Sequence, residues 1–138
     1  AREVLGKMML DALKAAPTSK SSKGAIDRFL AIGGAYIDFG IKKSNLYEIA
    51  FICFDSPELE PTSPSPWDLL MQSLVELKEL GCLPDKNFKI APTIAWSMVH
   101  GLVSLAIRKR LDKLVSPKDM EQTMHDSLDW LLKTLKNA

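Results

Sequence analysis

The 138-residue chain lacks most of the features that mark disulfide-rich proteins, metalloproteins and polyanion-binding surfaces. Its only cysteines, Cys53 and Cys82, lie in separate apolar stretches without zinc-type spacing, so we expect free, buried thiols in a reducing compartment. The 18 basic and 17 acidic residues leave a net charge of +1, which argues against a nucleic-acid-binding surface over the whole chain. The densest basic cluster, 108–113, is interpreted as the end of a helix.

Catalytic motifs are missing as well. There is no nucleophile elbow, phosphate-binding loop, zinc-protease motif or dinucleotide-binding glycine pattern. His125, Asp126 and Ser127 are adjacent in sequence, but helix neighbours one or two residues apart do not face each other. We therefore predict that the chain is not an enzyme and holds no cofactor and no metal.

The sequence shows no signal peptide, and no apolar run is interpreted as a membrane span, so we expect a cytoplasmic protein without membrane contact. The chain begins Ala-Arg-Glu on what already reads as helix, which leaves a fragment and a processed product both open. Its length suits one domain, covering 1–138.

Alternating β-branched residues are scarce and no hairpin signal occurs, so the pattern predicts an all-α fold of about six helices. Ser65-Pro66 with Asp68 and Ser116-Pro117 with Asp119 resemble helix starts, and Gly81 is placed to end a helix. The predicted helices cover about 2–16, 25–43, 46–54, 66–80, 90–111 and 117–138, with a polar loop at 17–24 and a proline-rich loop at 55–66.

The run from Ile94 to Ile107 is apolar on nearly every face, interrupted only by two serines and a histidine. A helix that is apolar all round is buried all round, and so small a domain has few places to bury one. We therefore expect one side to face the chain's own core and the other a second copy. Ser97, Gly101 and Ser104 share one face, where another helix can approach closely.

The last helix carries an apolar stripe with Trp130 off it, which suggests a second packing surface or an interface anchor. The last two helices would then form a four-helix seam with a two-fold mate. A monomer with both helices packed under the earlier ones is the alternative. The predicted interface residues are Ser97, Gly101, Ser104, Leu105, Met124, Leu128, Trp130 and Leu131.

Trp96 and His100 are four residues apart and therefore neighbours on a helix surface. An aromatic side chain beside a titratable ring either lines a pocket or fills a core, and a single buried histidine usually does the latter. The sequence alone leaves both interpretations open.

The segment AWSMVHGLVSL resembles the Trp-x-x-x-His-Gly signature of the C-terminal domain of TetR-family transcriptional regulators. The segment AYIDFGIKKSNLYEIAF is similar to that family's aromatic-rich helix pair, although Lys43-Ser44 replaces the usual His-Pro and Ala50 the usual Met. The order of elements agrees over nearly the whole chain. The family's N-terminal helix-turn-helix domain is not recognisable in it.

The resemblance implies a bacterial regulator, usually a repressor, whose helix-turn-helix binds DNA and whose C-terminal domain forms a homodimer and binds a small-molecule effector. The match implies roles for Trp96, His100 and Gly101. An apolar effector pocket with few polar groups would be lined by Trp96, His100, Tyr36, Phe39, Tyr47, Phe51, Phe54 and Met71. A free-standing helical interaction module without a pocket is the alternative.

Overall fold

The computed structural model describes residues 2–49, 65–84 and 88–136, and over these ranges the chain is helical without any strand. The all-α prediction is therefore confirmed. The helices are α1 (Arg2–Ala15), α2 (Ser22–Lys42), α3 (Ser44–Glu48), α4 (Pro66–Glu79), α5 (Ile90–Ile107) and α6 (Met120–Lys136).

Helix α2 is the central element, and each of the other five helices packs against it. Buried side chains from all along this helix join the core, from Ala25 and Phe29 near its start to Ile37 and Phe39 near its end. Gly40 allows α5 to approach closely, because a Cβ atom there would lie 2.1 Å from Cγ1 of Val103. Buried residues of the helices in the described ranges accordingly join one core cluster around α2.

Several helix ends follow from local sequence. Ser65 and Asp68 form a reciprocal capping box at the start of α4, as predicted. Gly81 has a φ of 77°, and the backbone N–H of Cys82 donates to the carbonyl of Leu77, which is the glycine-terminated ending expected there. Helix α2 begins three residues before the predicted start, because the Ser21 side chain accepts a hydrogen bond from the Gly24 N–H.

Two predicted boundaries are wrong. Helix α5 ends at Ile107 rather than near 111, because Lys109 has a φ of 57° and the N–H of Arg110 turns back to the carbonyl of Leu105. The last helix begins at Met120 rather than after Ser116. There the Ser116 hydroxyl bonds the Asp119 carboxylate, and the Asp119 carbonyl accepts the first helical hydrogen bond from Thr123. The predicted helix 46–54 lies mostly outside the described residues, as does the proline-rich loop.

Helix α5 also corrects the expectation about membrane spans. Within the described ranges, α5 is the one helix whose length of 18 residues and apolar composition would allow it to cross a bilayer. In the structure it packs against α2, α4 and α6 and places Ala95, Val99 and Val103 in the core. One face of α5 thus belongs to the core, although only 28% of the helix is buried within the chain.

Candidate functional site

Four rings from three helices form one aromatic cluster: Tyr36 of α2, Tyr47 of α3, and Trp96 and His100 of α5. The His100 ring stacks on Trp96 with centroids 5.3 Å apart and planes 26° apart. Tyr47 lies 5.5 Å from the same imidazole, and Tyr36 lies 5.6 Å from Trp96 in an edge-on arrangement. Because α2 and α5 cross at this point, residues 60 apart in sequence share one site.

Hydrogen bonds hold the polar ends of these rings in place. The Tyr36 hydroxyl is hydrogen-bonded to Nδ1 of His100. The Tyr47 hydroxyl donates to the backbone carbonyl of His100 at 3.2 Å. One histidine of α5 is therefore tied through its ring to α2 and through its backbone to α3, which fixes both its position and its ring orientation.

Burial sets the protonation states of the cluster. Desolvation lowers the pKa of His100, and it raises the pKa of Tyr36 and of Tyr47, so all three are neutral near pH 7. The hydrogen bond between Tyr36 and His100 therefore joins two uncharged groups.

A small cavity adjoins this cluster in the middle of the domain. It measures about 20 Å³, and Tyr36 and Trp96 contribute to its wall. The lining is almost wholly apolar and comes from α1, α2, α4, α5 and α6: Met9, Phe29, Ile32, Gly33, Tyr36, Leu70, Ala95, Trp96, Val99 and Leu128. This space is close to the size of one water molecule, far below the ~300 Å³ or more of typical small-molecule pockets.

Trp67, which is not among the predicted pocket residues, contacts the aromatic cluster. Its ring stands edge-on to Trp96 with centroids 5.8 Å apart, yet its side chain is 46% exposed. It is the second residue of α4, two positions after the capping residue Ser65. No periodic pattern marks a residue at a helix start, so only its type, a tryptophan beside a capping box, could have drawn attention to it.

The remaining predicted pocket residues are placed differently. Phe39 is completely buried in the main core, and Met71 is half-buried on α4. Neither is among the residues that line the cavity. Phe51 and Phe54 lie outside the described residues. Of the predicted set, the structure brings Tyr36, Tyr47, Trp96 and His100 together in one cluster, but only Tyr36 and Trp96 line the cavity.

The predicted partner-facing residues divide into two groups. Ser97 and Leu105 are exposed on α5, Ser104 is partly exposed, and a Cβ atom added at Gly101 would meet no atom of the chain within 4 Å. Trp130 is 68% exposed on α6. By contrast, three residues of α6 are at most 4% exposed and pack against the chain's own core, so they offer no surface to a second copy: Met124, Leu128 and Leu131.

The six helices of residues 2–49, 65–84 and 88–136 define an all-α domain built around a long central helix, with an aromatic cluster where α2 and α5 meet. A comparison with known protein families matches residues 29–135 to the family described as "Tetracyclin repressor-like, C-terminal domain". The match spans most of the chain, and the chain belongs to this family, whose members are regulators rather than enzymes. No curated protein and no solved structure matches the chain.

Proposed function

We propose that this chain is the effector-binding and dimerisation domain of a cytoplasmic bacterial TetR-type regulator, most simply a repressor. In this proposal an apolar or aromatic small molecule binds at the aromatic cluster around His100, called the His100 cluster below. Its binding alters DNA binding by a separate helix-turn-helix domain. The effector must bind one arrangement of the domain more tightly than the other, because affinity alone shifts no equilibrium.

The observation that carries the proposal is the neutral His100–Tyr36 pair set into a wall of aromatic rings. A mostly apolar site with one or two fixed polar groups is typical of small-molecule pockets. Because Tyr36 belongs to α2 and His100 to α5, a ligand that competes for this hydrogen bond would change how the two helices are joined.

The volume of about 20 Å³ means that an effector has to enlarge the cavity before it fits. We propose that Trp67 is the side chain that gives way, since its ring contacts Trp96, which lines the cavity, while Trp67 itself is about half exposed. Moving it would disturb the core less than displacing a fully buried lining residue such as Met9. A pocket that opens with its ligand is a minor conformation made dominant by binding.

The dimer is proposed to form along the outer face of α5. Ile90, Ile94, Ser97, Gly101 and Leu105 recur at helical spacing, and each is open on this chain. Trp130 of α6 would anchor the edge of the same contact, and Ser104 would border it. α5 is the most apolar helix of the described residues, and only 28% of it is buried. A second copy of the chain is therefore the simplest partner for its unburied apolar surface.

The test is a melting screen of the chain against a library of apolar and aromatic compounds. A compound that binds only the folded state raises the melting temperature, and the rise should shrink strongly in His100→Ala but persist in His125→Ala, the matched histidine variant. Equal rises in all three proteins would contradict a role for His100. Each variant is first melted without compound, which separates lost binding from lost folding.

The rival function is a helical interaction module that uses the open face of α5 to bind a different protein. The small cavity favours it, because a module of this kind needs no pocket. A screen in which no compound stabilises the chain, together with a monomeric mass in solution, would support the rival over the sensor.

A further inference from the structure

A second cluster of polar side chains lies away from the aromatic site, where α6 crosses α2. It consists of Asp38 from α2 and of Glu121 and His125 from α6. One ligand atom from each residue lies within 4.8 Å of those of the other two. Oδ1 of Asp38 and Nε2 of His125 are already 3.2 Å apart. Two carboxylates and an imidazole from two helices thus converge on one point.

The fold fixes two of these three side chains. Gly34 makes room for the imidazole, because a Cβ atom at that position would lie only 3.1 Å from Cε1 of His125. Asp38 follows Gly34 by four residues and therefore lies on the same face of α2, beside the ring. Asp38 and His125 are only about one-third exposed. The ring is held against the backbone of α2 with Nε2 beside the Asp38 carboxylate.

Glu121 completes the set from the first turn of α6. It precedes His125 by four residues, so both side chains lie on one helix face. Glu121 is exposed, and its carboxylate can move by rotation of its side-chain bonds without disturbing the core. Donor atoms around a tetrahedral zinc ion lie about 3.3–3.6 Å apart, given metal–ligand distances of about 2.0–2.2 Å. Asp38 and His125 are close to this spacing at 3.2 Å, and Glu121 needs to approach by at most about 1.5 Å.

The space beside the cluster suits the rest of a coordination shell. Asp38 and His125 line an open groove of about 550 Å³ between α1, α2 and α6. Asp11 of α1 lines the same groove, where it pairs with Lys7 at 3.9 Å. A metal with three protein ligands keeps its remaining positions for water or another small donor, and the groove has room for these.

We propose that Asp38, Glu121 and His125 bind a divalent first-row transition-metal ion, with Zn²⁺ as the representative. The two carboxylates balance the charge of the cation. The imidazole favours zinc and related metals over Mg²⁺ and Ca²⁺, which take oxygen ligands. The site joins α6 to α2 and stands independently of the proposed effector site, with which it shares no residue. The proposal departs from the sequence-based expectation of no metal. Sequence spacing does not reveal the site, because His125 lies 87 residues from Asp38.

The experiment is a calorimetric titration of the 138-residue chain with ZnCl₂, repeated with Glu121→Gln and His125→Gln. Asp126→Asn is the matched control, because it removes a neighbouring carboxylate that is hydrogen-bonded to Gln122 instead. We expect wild type and Asp126→Asn to bind one equivalent with equal affinity. Both cluster variants should bind at least tenfold more weakly, since even outer-shell changes cost ten- to a hundredfold.

Three results would overturn the proposal. One is no saturable Zn²⁺ binding by the wild type at micromolar concentrations. Another is equal affinity in the wild type and both cluster variants, which would place the metal elsewhere, for example on the cysteines or His100. The third is displacement of Zn²⁺ by an equal concentration of Mg²⁺. Glu121 is exposed, so Glu121→Gln keeps the test valid even if His125→Gln folds poorly; circular dichroism without metal checks this.

Discussion

Tyr36 of α2 and His100 of α5 are joined by a hydrogen bond between the phenol hydroxyl and ring Nδ1. The bond lies at the crossing of the most buried helix and the most apolar one, with Trp96 stacked on the imidazole. Burial keeps both partners neutral. Protonating His100 would place a charge in this desolvated environment and would therefore cost free energy.

The first prediction concerns pH. Burial lowers the pKa of His100 in the folded chain below the ordinary value of 6.5 that it regains on unfolding. The unfolded state therefore binds the proton more readily, so this contribution to stability is complete above about pH 6.5 and is lost as the pH falls below it. Melting temperatures measured from pH 7.5 to 5 should decline in the wild type and decline less in His100→Gln. Parallel declines would show that His100 is not the group responsible.

The second prediction tests the close approach of α2 and α5. Gly40→Ala should destabilise the chain by about 1–3 kcal/mol, because the new methyl group meets the stiff, branched Val103 side chain. Gly33→Ala is the control, since its methyl would meet only the mobile end of Leu128 at 2.9 Å. Urea unfolding should show a smaller loss for Gly33→Ala. A greater loss at Gly33 than at Gly40 would contradict this account of the packing.

The third prediction concerns the end of α5. Lys109 has a left-handed φ of 57°, which costs an ordinary residue about 1 kcal/mol relative to glycine. Lys109→Gly should therefore raise the free energy of unfolding by roughly this amount. Lys109→Ala removes the same charge but keeps a Cβ atom, so it should bring no such gain. If both variants changed stability alike, charge rather than backbone conformation would be the cause.

The fourth prediction addresses the dimer. Leu105→Asp places a charge on the open face of α5 and should convert a dimer into a species with the 15.3 kDa mass of one chain. Leu114→Asp makes the same change at a residue that is 83% exposed beyond the end of α5, and it should leave the dimer intact. Light scattering after size-exclusion chromatography gives both masses. A monomeric wild type, or a dimer unaffected by Leu105→Asp, would remove α5 from the interface.

Local sequence signals predict where helices end better than they predict what each helix packs against. Ser65 with Asp68 and Gly81 act through backbone groups of their own helix, so their roles could be predicted from sequence alone. The same Ser-Pro signature at Ser116 does not mark a helix start, because the Ser116 hydroxyl donates to the Asp119 carboxylate rather than capping a backbone N–H. A side-chain acceptor within reach can thus defer the start of a helix, and the sequence does not show which partner prevails.

The site could be predicted only in part for a similar reason. The spacing of Trp96 and His100 places them together, and the family resemblance adds Tyr36. The contact of Trp67 with Trp96 depends on how α4 packs against α5, which the sequence does not show. The α6 stripe was correctly recognised as apolar. Periodicity does not say whether such a stripe meets its own chain or a second copy, and Met124 and Leu128 proved to be core residues of the single chain.

The most direct test of the central claim, an effector site at the His100 cluster, is nuclear magnetic resonance of the Trp96 indole and the His100 ring during titration with a stabilising aromatic compound. Trp96→Phe and Trp130→Phe variants assign the indole signals. The account predicts that the Trp96 and His100 signals shift with a common affinity while that of Trp130 does not. A compound that stabilises the chain but shifts only Trp130, leaving Trp96 and His100 unchanged, would contradict it.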